Sequence, residues 1–552
     1  MKERAKVLFA VLFLGWGCLG VRLIYLQIIK HAYYRELARK EATRKVKLHG
    51  RRGDILDRNG IILATNVKLY TLYARPKEIK DKEEVIRVLS SSGISSEERL
   101  RRILNSGYPI VLVEKGIEEE IKERINLPGI YFVREWSRFY PLQELCGNLI
   151  GFTGNDLCGL SGIECSMDKV LKGRDGWRIL QRRPIGTLYP VPDYPQEEPE
   201  EGCDVYLTID SEIQALVEEV LRKGVERWGA KKGCGIVLDA RTGEIYAMAT
   251  VPSYNPNLKG KGNPEERKNM AVEFSFEPGS IFKVVLACAW IEKGYQVDEI
   301  VADTDHIEIS GITFRDISPH GPYTMREAVV HSSNVGFINI GRKIGGREIY
   351  RYAKKFGFGC PTGIPLPGEA KGIVPSCKKI KGITLASISF GQGISVTPLQ
   401  IVLAYQAIAN GGTLMKPILV KEIKKRGKVV FQARPEPLRR VVKKETAELM
   451  LEILEEVVEK GTAKNAKIPG VRVGGKTGTA QKAGKGGYME WKFVSSFVGI
   501  VPLDNPKFVI GIFIDEPQKG HLAGIVAAPL FREIARRLIH LYPYSKEIAE
   551  VR

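Results

Sequence analysis

Histidine is scarce in this sequence, with seven residues in 552. No histidine and cysteine spacing resembles a zinc site, and no histidine has an obvious nucleophile partner by motif. The sequence also contains no internal repeat and no low-complexity tract. These absences argue against a zinc module, a repeat protein and a histidine-based hydrolase.

Acidic residues are fewer than basic ones, 64 against 84, so the formal charge is +20. The basic residues run from Arg44 to Arg552 with acids interspersed, and no nucleic-acid-binding motif accompanies them. We therefore predict no nucleic-acid partner, and we favour an anionic polymer or a membrane surface outside the cytoplasm. The hydrophobic content of 44% and charged content of 27% are ordinary for globular protein. The length suggests about three or four folded units.

One long apolar run lies at the N-terminus. Residues 7–29 give about 23 mostly apolar positions, enough to cross a bilayer. Lys2, Arg4 and Lys6 precede the run, so the positive-inside rule predicts a cytoplasmic tail at 1–6. A cleaved signal peptide is the alternative, but residues 25–30 offer no small-residue cleavage site. We expect an uncleaved single-pass anchor in the cell (inner) membrane, with the remaining chain on the outer, periplasmic side.

Nine cysteines are present, eight of them beyond the anchor. Export permits disulfides, and Cys146, Cys158 and Cys165 lie close in sequence. Their pairing cannot be deduced from spacing, and the sequence does not determine the oligomeric state.

Between the anchor and about residue 200, short strands alternate with charged helices. Residues 34–47 are predicted to be helical, and Asn59-Gly60 predicts a hairpin turn. Further helices are expected at 82–89 and 117–125. No catalytic constellation occurs here, so residues 30–200 are predicted to form a spacer or docking domain. Residues 191–201, rich in proline and glutamate, are predicted to form a linker.

The remaining residues, 201–552, are predicted to form one domain. Its first strand leads into a helix capped by Asp210, and a hairpin follows at 235–248. Helices dominate the middle of the domain. Strands then return at 470–481, 493–500 and 507–514, before a helix at 530–541. Strands at both ends predict one sheet assembled from both ends, with a helical part inserted beside it.

Ser280 and Lys283 lie in the sequence Glu-Pro-Gly-Ser-Ile-Phe-Lys. The Pro-Gly pair precedes an apolar run at 284–291, which predicts a helix beginning at Ser280 with Lys283 one turn above it. Amide hydrogens at a helix start favour negative charge on the hydroxyl oxygen, and a desolvated lysine can accept its proton. This is the S-x-x-K arrangement of serine acyl-transfer enzymes. Because the pattern recurs at Ser166 and Ser376, it needs partners elsewhere in the chain.

Residues 470–477 match the P-loop pattern G-x-x-x-x-G-K-T, and 509–516 resemble an acidic strand that could hold magnesium. An exported or membrane-tethered NTPase is therefore an alternative from a different class. A P-loop must follow a buried strand and open a helix, whereas Pro469 precedes this one and three glycines follow soon after it. Fewer than about a hundred residues remain, too few for a nucleotide-binding domain. The context disfavours nucleotide binding.

Lys476, Thr477 and Gly478 fit better as a K-T-G sequence on a strand edge. The glycines at 474–475 would let another backbone or a substrate lie close. Lys476 and the hydroxyls of Thr477 and Thr479 would then present positive charge and donors to a carboxylate.

A third motif, S-x-N, is formed by Ser332 and Asn334, about fifty residues after Ser280. His331 beside it is predicted to be a packing or surface residue and not a base.

The chain resembles the penicillin-binding proteins, because the motifs S-x-x-K, S-x-N and K-T-G follow one another in that order and the last lies on a predicted strand. The chain resembles class B of this family in three features. These are its anchor, the stretch Arg-Gly-Asp-Ile-Leu-Asp-Arg-Asn-Gly at 52–60 and the lack of a glycosyltransferase domain. The chain also resembles the septal, division (FtsI-like) transpeptidases in five phrases, at 138–141, 150–153, 252–256, 390–393 and 475–481. The resemblance covers nearly the whole chain, from the anchor to about residue 535.

This resemblance implies an α/β chain of three parts. They are a single N-terminal transmembrane helix at 7–29, an elongated mixed α+β pedestal or dimerisation-type domain at 30–200, and a penicillin-binding transpeptidase domain at 201–552. In the last, an antiparallel sheet would be flanked by helices, with an inserted helical subdomain.

The resemblance also implies a mechanism. Ser280 would attack the carbonyl between two D-alanines of a peptidoglycan stem peptide. Lys283, held neutral by the nearby cation Lys476, would act as base. Ser332 would relay a proton to the departing D-alanine, and Asn334 would hold Lys283 and the substrate amide.

Thr477, Gly478 and Thr479 would bind the substrate, the two hydroxyls receiving its terminal carboxylate. The backbone N–H groups of Ser280 and Thr479 would form an oxyanion hole, worth about 3 kcal/mol per donor. An amine from a neighbouring stem would then resolve the acyl-enzyme and form the cross-link.

No metal or cofactor is implied. The implied partners are stem peptides ending in D-Ala-D-Ala, beta-lactam antibiotics, a membrane-embedded glycan polymerase (FtsW-like) and other division proteins. Alternatives remain: an elongation-type class B transpeptidase, a beta-lactamase or carboxypeptidase, and a non-catalytic septal scaffold or beta-lactam sensor. The acceptor amine and the mode of activation by partners stay open.

Overall fold

The structure is a computed structural model, and it describes residues 2–48, 50–182, 188–190, 195–258, 263–317, 321–484 and 487–542. The predicted linker begins at 191–194, outside the described residues, and its described end contains a two-residue strand, Gln196–Glu197.

The α-helices are, in chain order, α1 Lys2–Ile24, α2 His31–Ala42, α3 Lys82–Ser91, α4 Glu97–Leu104, α5 Glu119–Glu123, α6 Gly147–Ile150, α7 Gly162–Ser166, α8 Asp168–Leu171, α9 Ser211–Trp228, α10 Met270–Glu273, α11 Lys283–Glu292, α12 Met325–Val330, α13 Asn334–Ile344, α14 Gly346–Lys355, α15 Gly382–Ser389, α16 Pro398–Ala409, α17 Lys444–Glu459, α18 Ala523–Val526 and α19 Ala528–Leu541.

The strands are β1 Thr43–Leu48, β2 Ile55–Leu56, β3 Ile62–Ala74, β4 Val111–Ile117, β5 Ile130–Phe139, β6 Gly176–Arg182, β7 Leu188–Pro190, β8 Gln196–Glu197, β9 Asp204–Leu207, β10 Lys232–Asp239, β11 Ile245–Val251, β12 Ile300–Ala302, β13 His306–Ile309, β14 Ile312–Arg315, β15 Tyr323–Thr324, β16 Thr413–Met415, β17 Val420–Lys425, β18 Lys428–Gln432, β19 Pro437–Arg440, β20 Gly474–Gly484, β21 Gly487–Val501 and β22 Phe508–Asp515.

The chain forms two compact units, of which the first contains the described parts of 1–52 and 172–202. Its helix α1 continues through a π-helical turn, Tyr25–Ile29, and together they form one apolar helix long enough to cross a membrane. This helix is the candidate single-pass anchor. The prediction of a helix at 34–47 is wrong for its last residues, because β1 pairs antiparallel with β6 from Thr43 to Leu48. Long-range pairing therefore overrides local helix propensity here.

The second unit contains the described parts of 53–171 and 203–552. The predicted hairpin is confirmed, since β2 pairs antiparallel with β3. Asp57 accepts hydrogen bonds from the turn amides of Asn59 and Ile61, both at 2.8 Å. Its other oxygen accepts from the hydroxyl of Ser211 at 2.8 Å. The hairpin is thus fastened to the start of α9, where Asp210 caps the helix as predicted.

One sheet of this unit has seven strands, with β18-β17-β9-β2-β3-β4 in order and β5 on β3. Strand β2 lies parallel to β9, so the residues before 60 share a sheet with the first strand after 203. A small core packs α3 and α4 against β3 and β4. The helix predicted at 82–89 is confirmed as α3, whereas the one predicted at 117–125 shortens to α5 because Ile117 ends β4.

The second sheet has five strands in the order β11-β10-β22-β21-β20, all antiparallel. Its first two strands precede the helical middle and its last three follow it, as the sequence predicts. Helices α9 and α19 pack on one face, where Gly235 and Gly499 admit their side chains. The wholly buried α16 packs on the other face, against Gly511. Strand β20 is the edge strand of this sheet, and its free edge faces the helices of the middle segment.

No disulfide joins any of the nine cysteines, all of which lie within the described ranges.

Candidate active site

Ser280 lies in a tight turn directly before α11. The sequence predicts a helix from Ser280, but Gly279–Phe282 form a 3-10 turn and the α-helix begins at Lys283. The turn is held by a hydrogen bond from the Gly279 amide to the Gly391 carbonyl at 2.9 Å. Gly391 has φ +87°, and a Cβ there would lie 2.0 Å from the Gly279 oxygen. Only glycine therefore allows this loop to support the Ser280 turn.

Ser280 is half-buried and lines a cavity of about 630 Å³. The same cavity is lined by Ser332, Asn334, Thr477 and Thr479. The structure thus brings the three predicted motifs to one cavity, although they are spread over two hundred positions.

Lys283 is fully buried beside this cavity and reaches the S-x-N motif. Its Nζ donates to the Ser332 carbonyl at 2.6 Å and to Asn334 Oδ1 at 2.9 Å, and it lies 3.3 Å from Ser332 Oγ. The ring of Phe337 lies 5.5 Å from Nζ. These contacts fix the amine in one position.

Burial sets the protonation of both lysines. It lowers the pKa of Lys283 well below its usual range, the charge of Lys476 lowers it further, and Asp316 opposes both effects. Lys476 is also fully buried, and burial lowers its pKa to about 7. Its Nζ has the Thr477 carbonyl at 3.4 Å. Lys283 therefore has an environment that favours the neutral amine that a general base requires.

The S-x-N turn is held by a contact with Asp316 that the sequence did not reveal. Ser332 has φ +63°, in the left-handed region, and Ser333 caps α13 through the Gly336 amide at 2.9 Å. Asp316 accepts hydrogen bonds from the Ser333 hydroxyl at 2.5 Å and from the Asn334 amide. Asp316 precedes the motif by some seventeen residues with no spacing that marks it, so only the fold shows this contact.

The K-T-G sequence lies on the edge strand β20, which continues to Gly484 where a P-loop would open a helix. The Thr477 and Thr462 hydroxyls are 2.7 Å apart, and the Thr479 hydroxyl accepts from the Ala523 amide at 3.1 Å. A Cβ on Gly478 would lie 3.0 Å from the Pro278 carbonyl. Gly478 thus allows β20 to approach the Ser280 turn.

The predicted role of the two preceding glycines needs correction in part. A Cβ at Gly474 would meet Leu503 and Leu454, and one at Gly475 would meet Phe497 and the Val498 carbonyl. These glycines admit the protein's own backbone and side chains, whereas Gly478 is the glycine that faces the serine turn.

His331 stacks on Tyr323, with ring centroids 5.1 Å apart. This arrangement agrees with the predicted packing role.

Two family descriptions match this chain. Residues 233–536 match the penicillin-binding protein transpeptidase domain, and residues 47–207 match the penicillin-binding protein dimerisation domain.

Similar curated proteins cover nearly the whole chain. "Stage V sporulation protein D" of Bacillus subtilis is 33% identical over 97% of this chain and 85% of that protein. "Peptidoglycan D,D-transpeptidase FtsI" of Escherichia coli is 30% identical over 96% of this chain and 90% of that protein. Among solved structures, penicillin-binding protein 3 of Mycobacterium tuberculosis complexed with aztreonam is 31% identical, with a TM-score of 0.71 over 90% of this chain and 98% of that one.

Proposed function

Because this chain belongs to the class B penicillin-binding proteins and is a peptidoglycan D,D-transpeptidase, we propose that it works through an acyl-enzyme on Ser280. The observation that carries this proposal is the position of Lys283, whose buried amine contacts Ser332 and Asn334 beside the cavity that Ser280 lines. A neutral amine there can accept the hydroxyl proton as Ser280 attacks the carbonyl between two D-alanines.

The remaining site residues take the following proposed roles. Ser332 passes a proton to the departing D-alanine, and Asn334 orients Lys283 and the substrate amide. Lys476 keeps Lys283 neutral and supplies positive charge to the cavity. The hydroxyls of Thr477 and Thr479, with Gly478 between them, receive the terminal carboxylate.

The amides of Ser280 and Thr479 stabilise the oxyanion that develops on the attacked carbonyl. An amine of a second stem then attacks the ester carbonyl, forms the amide cross-link and releases Ser280 with a proton. The beta-lactam amide imitates the same D-Ala-D-Ala terminus, so its ring opens on Ser280 and the ester persists.

Labelling the full chain with fluorescent penicillin and locating the adduct by mass spectrometry tests the mechanism. We expect the label on Ser280 and none in Ser280→Ala. Label on another residue would disprove the proposed nucleophile. Rapid turnover of a chromogenic beta-lactam would favour a lactamase, and normal growth of a Ser280→Ala strain would favour a non-catalytic scaffold or sensor.

We propose that the enzyme acts in septal wall synthesis, alongside a membrane-embedded glycan polymerase and other division proteins. The name of the Escherichia coli relative supports this role. Depletion should then give filamentous cells, whereas rounded cells would favour the elongation-type alternative.

We also propose that residues 1–6 are cytoplasmic, that 7–29 span the membrane, and that the 30–200 and 201–552 domains lie outside. Lys2, Arg4 and Lys6 support this orientation. Protease treatment of intact spheroplasts should remove residues beyond 45. Their protection would reverse the topology.

A further inference from the structure

Four cations lie together where α14 ends beside β19. Lys354 and Lys355 are the last two residues of α14, and Arg439 and Arg440 are the last two residues of β19. Arg439 Nε donates to the Lys355 carbonyl at 2.8 Å, and Lys355 Nζ donates to the Val441 carbonyl at 3.4 Å. The two segments therefore hold each other. We call these four residues the basic patch.

The other two cations of the basic patch are also held by backbone carbonyls. Arg440 Nη1 donates to the Gly411 carbonyl at 2.9 Å, and Lys354 Nζ donates to the Gly359 carbonyl at 3.2 Å. Both arginines are exposed and both lysines are partly exposed. The fold thus fixes four positive charges at the surface through neutral partners.

The acidic residues on or next to the same elements are paired with other cations. Glu348 on α14 pairs with Arg351, and Glu436, directly before β19, pairs with Lys416 at 2.9 Å. In the part of the chain that the structure describes, no ion pair reaches any of the four cations of the basic patch. A carbonyl carries no net charge, so the basic patch keeps its positive charge.

The chemistry of the basic patch suits a ligand with several carboxylates. A guanidinium has five N–H groups, and the carbonyl contacts of Arg439 and Arg440 occupy one group in each. The remaining groups can grip a carboxylate with two parallel hydrogen bonds. Because the carbonyls already orient both guanidinium groups, less conformational entropy is lost when such a ligand binds.

The substrate of this enzyme is a polymer of that kind. The formal charge of +20 already favours an anionic polymer as partner. By the proposed function, on which this step rests, each uncross-linked stem ends in the carboxylate of a D-alanine. A strand with many such stems is a polyanion. Cross-linking releases that D-alanine and leaves an amide, so the carboxylate is lost from the donor stem.

The basic patch is separate from the reacting groups. None of its four residues lines the candidate active-site cavity. A stem at the basic patch therefore does not compete with the stem that reacts at Ser280.

We propose that the basic patch is an exosite for uncross-linked peptidoglycan strands, which it binds through the carboxylates of stems other than the reacting one. The exosite distinguishes new strands from cross-linked ones, because cross-linking removes the carboxylates that it binds.

Strand binding tests the exosite directly. The full chain carries Ser280→Ala to prevent turnover, and the probe is dye-labelled, uncross-linked peptidoglycan strands followed by fluorescence anisotropy. Arg439→Gln/Arg440→Gln keeps a donor for each carbonyl and removes both charges, so we expect binding to weaken by about fivefold to tenfold. Lys428→Gln/Arg434→Gln removes two charges at exposed positions elsewhere and should bind like the parent chain. Strands with methylamidated carboxylates should bind both variants equally.

Turnover gives a second readout in the chain that retains Ser280. Arg439→Gln/Arg440→Gln should lower kcat/KM for strands by the same factor. A single-stem donor peptide and penicillin labelling should be unchanged, because neither reaches the basic patch.

Every other outcome has its own meaning. Equal weakening by the control pair would show that net charge alone binds strands, and it would overturn the exosite. Tighter patch-dependent binding to inorganic polyphosphate or to phosphatidylglycerol vesicles than to strands would also overturn it, in favour of a phosphate polymer or the membrane. If the double variant also loses single-stem turnover, its fold is damaged, and Arg440→Gln alone decides: unchanged strand binding in it rejects the exosite. Failure of the proposed function is distinguishable, because it removes the penicillin label from Ser280 and leaves the strand-binding measurements intact.

Discussion

The carboxylate of Asp316 accepts a hydrogen bond from the hydroxyl of Ser333 at 2.5 Å. Its other oxygen accepts from the amides of Asn334 and Val335, the latter at 3.1 Å. One acidic side chain thus holds the start of α13, from which Asn334 reaches Lys283. The position of the candidate base therefore depends on a residue far from it in sequence.

Replacing this carboxylate should loosen the site. In Asp316→Ala, the Ser333 hydroxyl and two helix-start amides lose a charged acceptor, which costs about 1–3 kcal/mol of folding free energy. We expect penicillin acylation of Ser280 to slow at least about tenfold, because Asn334 no longer orients Lys283. Stopped-flow acylation and thermal unfolding measure both effects. Asp305→Ala, which removes a neighbouring carboxylate that contacts His306, should acylate normally; equal rates in the two variants would contradict the role of Asp316.

Much of the fold could be predicted, because its signals are local. The Asn59-Gly60 turn and the Asp210 cap each depend on a few adjacent residues, and both are confirmed. The five-stranded sheet was predictable from apolar runs on either side of the helical middle. The strand at Thr43–Leu48 was not, since its partner lies some 130 residues away and local charge favoured a helix.

The site was predictable to the level of motifs. Ser280, Ser332 and Thr477 were found from the order of three short patterns, and the fold brings them to one cavity. Asp316 was not found, because its partners include backbone amides of another segment. Such contacts leave no residue pattern in a single sequence.

The buried Lys476 should destabilise the folded protein by an amount that depends on pH. Its pKa in the folded chain is about 7, below the unfolded value of about 10.4. The folded state then binds fewer protons than the unfolded state between these values, so stability rises with pH across this window. The penalty is complete below about pH 7, where it is on the order of 4 kcal/mol, and fades toward pH 10.

We therefore expect Lys476→Met to unfold at a higher temperature than the wild-type chain, with a larger difference at pH 6 than at pH 9. The same variant should lose penicillin acylation, because Lys283 loses the neighbouring charge that lowers its pKa. Thermal unfolding at the two pH values measures the first effect. Lys428→Met, at an exposed strand position, should show no such difference. A lower unfolding temperature for Lys476→Met at both pH values would refute the argument.

Gly391→Ala should displace the serine turn. The new Cβ would lie 2.0 Å from the Gly279 oxygen, so the loop or the turn must move. We expect a loss of about 3 kcal/mol or more in stability and acylation slowed by more than about tenfold. Gly363→Ala shares the left-handed backbone, with φ +80°, but has no atom within 4 Å of its Cβ. It should cost only about 1 kcal/mol and should acylate normally. If the two alanine variants behave alike in thermal unfolding and penicillin labelling, backbone strain alone explains the requirement for glycine at position 391.

The buried pair of Arg138 and Glu164 should be strongly coupled. Both side chains are fully enclosed, with Arg138 Nε 2.6 Å from Glu164 Oε1, and Arg138 Nη1 donates to the Gly53 carbonyl at 2.8 Å. In Arg138→Met, a buried carboxylate loses its cation, and we expect about 3–5 kcal/mol of destabilisation. The double variant Arg138→Met/Glu164→Gln removes both charges and should recover a large part of that loss.

A double-mutant cycle by chemical denaturation of the full chain measures this coupling. The exposed pair Arg101 and Glu83, which is bidentate with contacts of 2.8 and 2.7 Å, provides the control. Because water screens that pair, Arg101→Met should cost less than about 1 kcal/mol. Similar costs for Arg138→Met and Arg101→Met would show that enclosure does not strengthen the buried pair. Its role between the hairpin and α7 would then be packing alone.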